Sequence, residues 1–92
     1  VVVTCGESGL CFLDAPHKSP RHLPAFKVKA IDTTGCGDVF HGAYAAALAR
    51  GLPIVDRVRF ASAAAALKAT QHGGQAGIPT LAAVNRFLKR HP

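Results

Sequence analysis

Apolar residues follow two different spacings along this chain, and the spacing changes near residue 35. In the first part, the segments VVVTCG (1–6) and GLCFLDA (9–15) are short apolar runs separated by two polar residues, which predicts a β-hairpin with a tight turn. The segment AFKVKAID (25–32) alternates apolar and polar side chains, a pattern typical of an outer strand with one side in solvent. Residues 15–24 carry three prolines and four basic or imidazole side chains, so we expect an exposed connection there.

In the second part, the apolar residues recur at helical spacing and predict three helices. The first covers DVFHGAYAAALA and is expected to stop at Gly51. The second is entered at Pro53, is rich in alanine and is expected to stop near Gly73. The third is expected to begin after Thr80 as its N-cap. Its apolar side would be formed by Leu81, Val84 and Leu88.

The overall composition is typical of a packed globular chain. Hydrophobic residues make up 49% of the 92 residues, and no run of about 18 apolar residues is present to span a bilayer. The first residue, Val1, already lies in an apolar run that reads as a strand, so we expect a fragment of a longer protein. The cysteines Cys5, Cys11 and Cys36 fit neither a zinc ligand set nor a Cys-x-x-Cys pair, which favours a reducing cytoplasm.

The positive charge of the chain does not by itself indicate a nucleic-acid partner. The net charge is +6, but the basic residues are scattered rather than gathered in one block. Tyr44 is the only tyrosine and tryptophan is absent, so few aromatic side chains are available on which bases could stack. We therefore expect neither nucleic acid nor a membrane among the partners.

Residues 32–38, DTTGCGD, connect the last predicted strand to the first predicted helix. A glycine-rich turn that opens a helix is suited to bind an anion, because the first helical amides have no acceptor within the helix. The amides of Gly35, Cys36 and Gly37 could converge on one oxyanion, and Asp38 could accept a proton from a hydroxyl that attacks phosphorus. Two alternatives stay open: Asp38 is only a helix N-cap, or Cys36 is a nucleophile.

The motif resembles the second signature of the ribokinase, or PfkB, family of carbohydrate kinases, written D-T-x-G-A-G-D. TCGESG (4–9) is similar to the T-x-G-x-x-G nucleotide loop of that family. FASAAAALKATQHGGQAGIPT (60–80) resembles its alanine-rich helix, its adenine loop and the proline before its last helix. The resemblance implies an α/β, Rossmann-like ribokinase fold. Residues 1–92 would be the C-terminal ATP-binding and catalytic portion of an incomplete kinase domain.

The resemblance also implies roles for individual residues. Asp38 would be the base that takes the proton from the acceptor hydroxyl, and Cys36 stands in place of the commoner alanine. The anion hole for the γ-phosphate of ATP would be formed by Gly35, Cys36 and Gly37. Nucleotide contacts are implied for Thr4, Gly6, Gly9, Gly37 and Ser62. Mg²⁺ would accompany ATP, and a potassium ion would be held by Asp32, Thr34, Gly73 and Gly77.

The function implied is transfer of the γ-phosphate of ATP to a hydroxyl of a sugar or sugar derivative in the cytoplasm, by a protein that is a homodimer at full length. The motif is similar to sulfofructose kinase-like members, while GAYAAALA also suits ribokinases and ketodeoxygluconate kinases. Two rival functions stay open: a nucleoside or vitamin-alcohol kinase of the same fold, and a non-catalytic nucleotide-binding fragment. The 92 residues alone are expected to be inactive.

Overall fold

A computed structural model describes residues 2–4, 8–13, 19–29, 31, 35–70 and 79–91. Its strands are β1 (Val2–Thr4), β2 (Leu10–Phe12) and β3 (Arg21–Leu23). Its helices are α1 (Cys36–Ala49), α2 (Ile54–Ala69) and α3 (Leu81–Arg90). The predicted order, in which three strands precede three helices, is confirmed.

The strands form one antiparallel sheet in the order β1-β2-β3, with β2 at its centre. Cys11 pairs with Val3 on one side and with His22 on the other. Leu10 and Phe12, on either side of Cys11, are 2% and 4% exposed, whereas Cys11 itself is only half-buried. This period of two shows which face of the sheet meets the helices. The pairing of β1 with β2 confirms the predicted hairpin, but Thr4 pairs with Leu10, so five residues separate the strands and the predicted tight turn is wrong.

The position predicted for the outer strand is wrong. That strand lies at Arg21–Leu23, and the described part of residues 25–32 forms none. Pro24 has no amide hydrogen and cannot continue the ladder of β3. The segment that follows packs on a helix instead, because the ring of Phe26 meets that of Phe87 edge-on at 5.0 Å between centroids. The alternating pattern thus marks a segment with one buried side and not a paired strand.

The helix ends follow from local chemistry. Gly51, just after α1, has a φ of 77°, a left-handed conformation that favours glycine, which confirms the predicted stop. Thr80 is confirmed as the N-cap of α3, since its hydroxyl oxygen accepts the amide hydrogen of Ala83 at 3.1 Å. Pro53 precedes α2 as predicted. Gly73, the predicted stop of α2, lies outside the described residues.

Two apolar clusters hold these elements together. One joins the sheet to the helices, and its buried members are Leu10, Phe12, Phe40, Val58 and Ala61. The other lies among the helices, and its buried members are Ala47, Phe60, Ala63, Ala64 and Val84. The small alanine side chains let α1 and α3 approach α2 closely. α2 is therefore the central helix of the described structure.

The prediction for the apolar side of α3 is correct for Val84 but wrong for Leu81. Val84 is buried and Leu88 packs against the same cluster, whereas Leu81 is 50% exposed. Leu81 is the first residue of the helix, and Phe87 contributes to the cluster in its place. Across the described part of the chain, no helix is long and apolar enough to cross a membrane.

Candidate active site

The turn that opens α1 is formed by the second half of the DTTGCGD motif. Gly35 is the N-cap residue, with a φ of 77°, and its carbonyl oxygen accepts the amide hydrogen of Val39 at 3.0 Å. Cys36, Gly37 and Asp38 therefore form the first helical turn. Amides in that turn have no acceptor within an α-helix, and the aligned peptide dipoles add partial positive charge there. Such an end attracts anions, phosphate groups among them.

The two glycines of this turn have different surroundings. Among the described residues, apart from its chain neighbours and the backbone of α1 itself, a Cβ atom on Gly37 would meet no atom within 4 Å, and the residue is exposed. A Cβ atom on Gly35 would lie 3.9 Å from Cε of Lys68, in the interior. As far as the described residues extend, the space beside Gly37 is therefore open to a ligand such as a tetrahedral anion. The residues present fit the terminal phosphate of a nucleotide.

Asp38 is the third residue of α1 and is not its N-cap, because Gly35 occupies that position. The capping alternative for Asp38 is therefore wrong. Its side chain is exposed. It lies at the rim of a cavity of about 370 Å³, which is also lined by Val39, Gly42, Ala43, Phe60, Ala64, Pro79 and Val84. Asp38 thus borders open space and directly follows Gly37 in the sequence, so its carboxylate can accept a proton from a molecule bound in this cavity.

Cys36 contacts α2 with its side chain. The Sγ atom donates to the carbonyl oxygen of Ala65 at 3.6 Å, and the residue is half-buried. A thiol engaged in this way contributes to helix packing, as an alanine methyl group would at the same position. The contact favours a structural role for the Cys36 side chain over the role of nucleophile.

The nucleotide-loop prediction falls on the first hairpin. Thr4 ends β1, is exposed, and lines a second cavity of about 270 Å³. The other lining residues are Val2, Phe40, His41 and Tyr44. The end of β1 and one side of α1 therefore share this cavity. His41 is exposed there, and its ring meets that of Phe40 edge-on at 6.0 Å between centroids.

Gly9 has a packing requirement that the nucleotide-loop prediction did not include. Its φ is 93°, and a Cβ atom would collide with the carbonyl oxygen of Leu23 and lie 2.7 Å from the amide nitrogen of Ala25. The same loop is joined to β3 by His22, whose Nε2 lies 2.7 Å from the carbonyl oxygen of Ser8. The end of β3 therefore restricts the backbone at Ser8 and Gly9.

Some predicted positions are not brought to the turn or lie outside the described residues. Ser62 is half-buried on α2 and is not among the residues that line either cavity. The predicted residues outside the described ones are Gly6, Asp32, Thr34, Gly73 and Gly77. In the ranges that are described, no three His, Cys, Asp or Glu side chains are grouped to hold a metal ion. The potassium site therefore stays a prediction.

Sequence reasoning missed Lys68. This residue lies in the last turn of α2 and is 0% exposed. It follows Ala61 and Ala64, both buried, at intervals of seven and four residues, so it lies on the same side of the helix. That spacing was visible in the sequence.

Residues 1–81 match the family described as pfkB family carbohydrate kinase. The chain belongs to this family. A ribokinase from Lactococcus lactis subsp. lactis is 40% identical over 89 residues, which cover 97% of this chain and 29% of the relative. The chain matches the C-terminal portion of a pfkB kinase and spans less than a third of the length of that relative.

Solved pfkB-family neighbours have the same fold. A ribokinase from Arabidopsis thaliana complexed with ribose and ATP superposes with a TM-score of 0.86 at 31% identity, over 96% of this chain and 28% of the neighbour. A protein from E. coli in complex with ATP and Mg²⁺ superposes with a TM-score of 0.88 at 30% identity, over 98% of this chain and 29% of the neighbour. The fold predicted from the sequence is confirmed.

Proposed function

We propose that the protein to which these residues belong transfers the γ-phosphate of ATP to a hydroxyl group of a sugar or sugar derivative. The observation that carries the proposal is the exposed Asp38 carboxylate next to the open glycine turn of α1. Membership of the pfkB family supports the reaction class, and the ribokinase relatives favour a pentose acceptor. Ribose is accordingly the first acceptor to test.

The proposed role of Asp38 is that of general base. Its carboxylate accepts the proton of the acceptor hydroxyl while the bond from that oxygen to phosphorus forms and the bond from phosphorus to the leaving ADP oxygen breaks. Phosphoryl transfer of this kind depends mainly on position and charge stabilisation. The exposed position of Asp38 leaves its carboxylate accessible to a bound acceptor.

The proposed role of the amides of Gly35, Cys36 and Gly37 is to hold the oxygens of the transferred group. Fixed N–H donors at a helix end stabilise negative charge without having to reorganise during the reaction. ATP would supply the phosphoryl group, and Mg²⁺ would offset charge on its phosphates. We also propose nucleotide contacts for Thr4, Gly6, Gly9, Gly37 and Ser62, and potassium ligation by Asp32, Thr34, Gly73 and Gly77.

The test of the function uses the full-length protein with ATP, Mg²⁺ and a panel of acceptors that includes ribose, fructose, a nucleoside and a vitamin alcohol. The proposal predicts a new phosphomonoester signal in the ³¹P NMR spectrum with a sugar, together with an equal amount of ADP. Transfer only to the nucleoside or the vitamin alcohol would assign the protein to another substrate class. Binding of ATP with no transfer to any acceptor would refute catalysis and indicate a nucleotide-binding module.

A further inference from the structure

Lys68 carries a charge in the interior of the described structure. It is the one buried charged residue among those described, at 0% exposure, and it has at least one specific contact partner. Removing an ammonium group from water is costly, so a buried lysine needs compensation from its surroundings. Lys89, by contrast, is an exposed lysine in the last turn of α3.

The surroundings of Lys68 include the proposed anion turn. Cε of Lys68 lies 3.9 Å from the position of a Cβ atom on Gly35, the N-cap of α1. One helical turn earlier on α2, the carbonyl oxygen of Ala65 accepts the thiol of Cys36 at 3.6 Å. Consecutive turns of α2 therefore lie beside the residues that begin α1.

The two sides of the turn thus differ: a lysine lies on the interior side, and the other side is exposed. Lys68 approaches from the interior at Gly35, whereas Gly37 is exposed and, apart from its chain neighbours, no side chain of the described residues would lie within 4 Å of a Cβ atom built on it. An anion in that space would have the amides in direct contact and the lysine behind them. Charges separated by protein atoms interact more strongly than they would in water, because the effective dielectric constant is lower.

We propose that Lys68 is a positioning residue for phosphoryl transfer, whose positive charge behind the Gly35–Gly37 turn stabilises the charge that develops on the transferred group. This inference rests on the proposed function. Lys68 acts through the turn in two ways. It adds to the positive electrostatic potential at the amides of the turn, and it packs beside Gly35 on the interior side. A fixed positive charge lowers the free energy of the transition state more than that of the ground state where negative charge moves towards it during transfer, and the proposal places that charge on the oxygens held by the turn.

The test compares Lys68→Met, which keeps most of the side-chain volume but removes the charge, with Lys68→Arg, which keeps the charge. In the full-length protein, Lys68→Met should lower kcat by about 10- to 100-fold and change the KM for ATP by less than about 3-fold. Lys68→Arg should recover at least part of the lost kcat. The control, Lys89→Met, should have the kcat of the wild type.

A second measurement distinguishes the effect of losing the Lys68 charge from the effect of altered packing. ADP with aluminium fluoride imitates the transferring phosphoryl group, whereas ADP alone does not. Lys68→Met should weaken binding of ADP with aluminium fluoride by about 10-fold or more and leave binding of ADP alone nearly unchanged. Lys68→Gln provides a second neutral variant if Lys68→Met does not fold.

Three results would overturn the inference. The first is a kcat equal to that of the wild type in Lys68→Met or Lys68→Gln. The second is a loss of kcat and of Tm that is the same in Lys68→Met and Lys68→Arg. The third is that Lys68→Met weakens the binding of ADP alone as much as the binding of ADP with aluminium fluoride. If the wild type itself releases no ADP in the presence of a sugar, the proposed function is refuted. This result is measured on the wild type, so it is distinct from the three results above, which are measured on the Lys68 variants.

Discussion

The first turns of α1 and α2 each carry one exposed aspartate, yet only the turn of α1 has the features of a phosphate site. Asp38 lies in the first turn of α1 and Asp56 in that of α2. α1 is preceded by Gly35 with a φ of 77°, whereas α2 is preceded by Pro53, which has no amide hydrogen. An acid near a helix start is ordinary, since it stabilises the helix. The open glycine turn distinguishes Asp38 from Asp56.

The N-terminus of α3 completes this comparison. Its cap, Thr80, supplies a hydroxyl oxygen that accepts the amide hydrogen of Ala83. The cap of α1 is a glycine, which has no side chain to occupy the amides in this way. A helix start capped by its own side chain is stabilised locally, and one capped by glycine leaves room for a ligand.

The largest effect is expected from matched substitutions of the two aspartates. In the full-length protein, Asp38→Asn should lower kcat by about 10²- to 10⁴-fold, because removal of a general base leaves the acceptor hydroxyl protonated. Binding of ATP, measured by calorimetry, should largely persist. Asp56→Asn, the same change at the start of α2, should leave kcat within about 2-fold of the wild type. Equal activity of the two variants would remove the distinction between the helices.

The next largest effect is expected from Gly37→Ala, which tests whether the phosphate binds on the exposed side of the turn. Gly37→Ala introduces a methyl group that, apart from its chain neighbours, would meet no side chain of the described residues within 4 Å, so Tm should be unchanged or slightly raised by the better helix propensity of alanine. The methyl group would occupy the space proposed for the phosphate oxygens. We expect kcat to fall by about 10- to 100-fold, measured as sugar-dependent release of ADP. Unchanged kcat would show that the phosphate does not bind on this side.

The smallest effect is expected on stability, at the neighbouring glycine. Gly35→Ala places a side chain at a φ of 77°, which costs about 1–2 kcal/mol in a left-handed conformation. Denaturant unfolding of the full-length protein should show this loss, in contrast to Gly37→Ala. A Gly35→Ala variant as stable as the wild type would mean that the turn adopts another conformation.

Local chemistry explains which parts of the fold could be predicted from the sequence. Thr80 and Gly51 mark helix ends through their own hydrogen bond and backbone conformation, so the sequence around them suffices. The segment 25–32 was misassigned because alternating side chains suit any segment with one buried side. Only the packing of Phe26 on Phe87 shows that this side meets a helix.

Non-local packing explains what was missed in the site. The motif identified the turn of α1, since Gly35, Gly37 and Asp38 lie within four consecutive residues. Lys68 is brought to that turn only by the packing of α2 against α1. The spacing from Ala61 and Ala64 places Lys68 on the buried side of α2, but a lysine among alanines usually extends its charge into solvent, so this spacing alone does not show that the whole side chain is buried.

The most direct test of the central claim is amide NMR of the full-length protein labelled with ¹⁵N-glycine, titrated with ADP and aluminium fluoride. If the turn of α1 holds the transferred group, the amide signals of Gly35 and Gly37 should shift as the complex forms. The signal of Gly51, which lies beyond the end of α1, should change little. Saturated binding with unshifted signals from Gly35 and Gly37 would contradict the account.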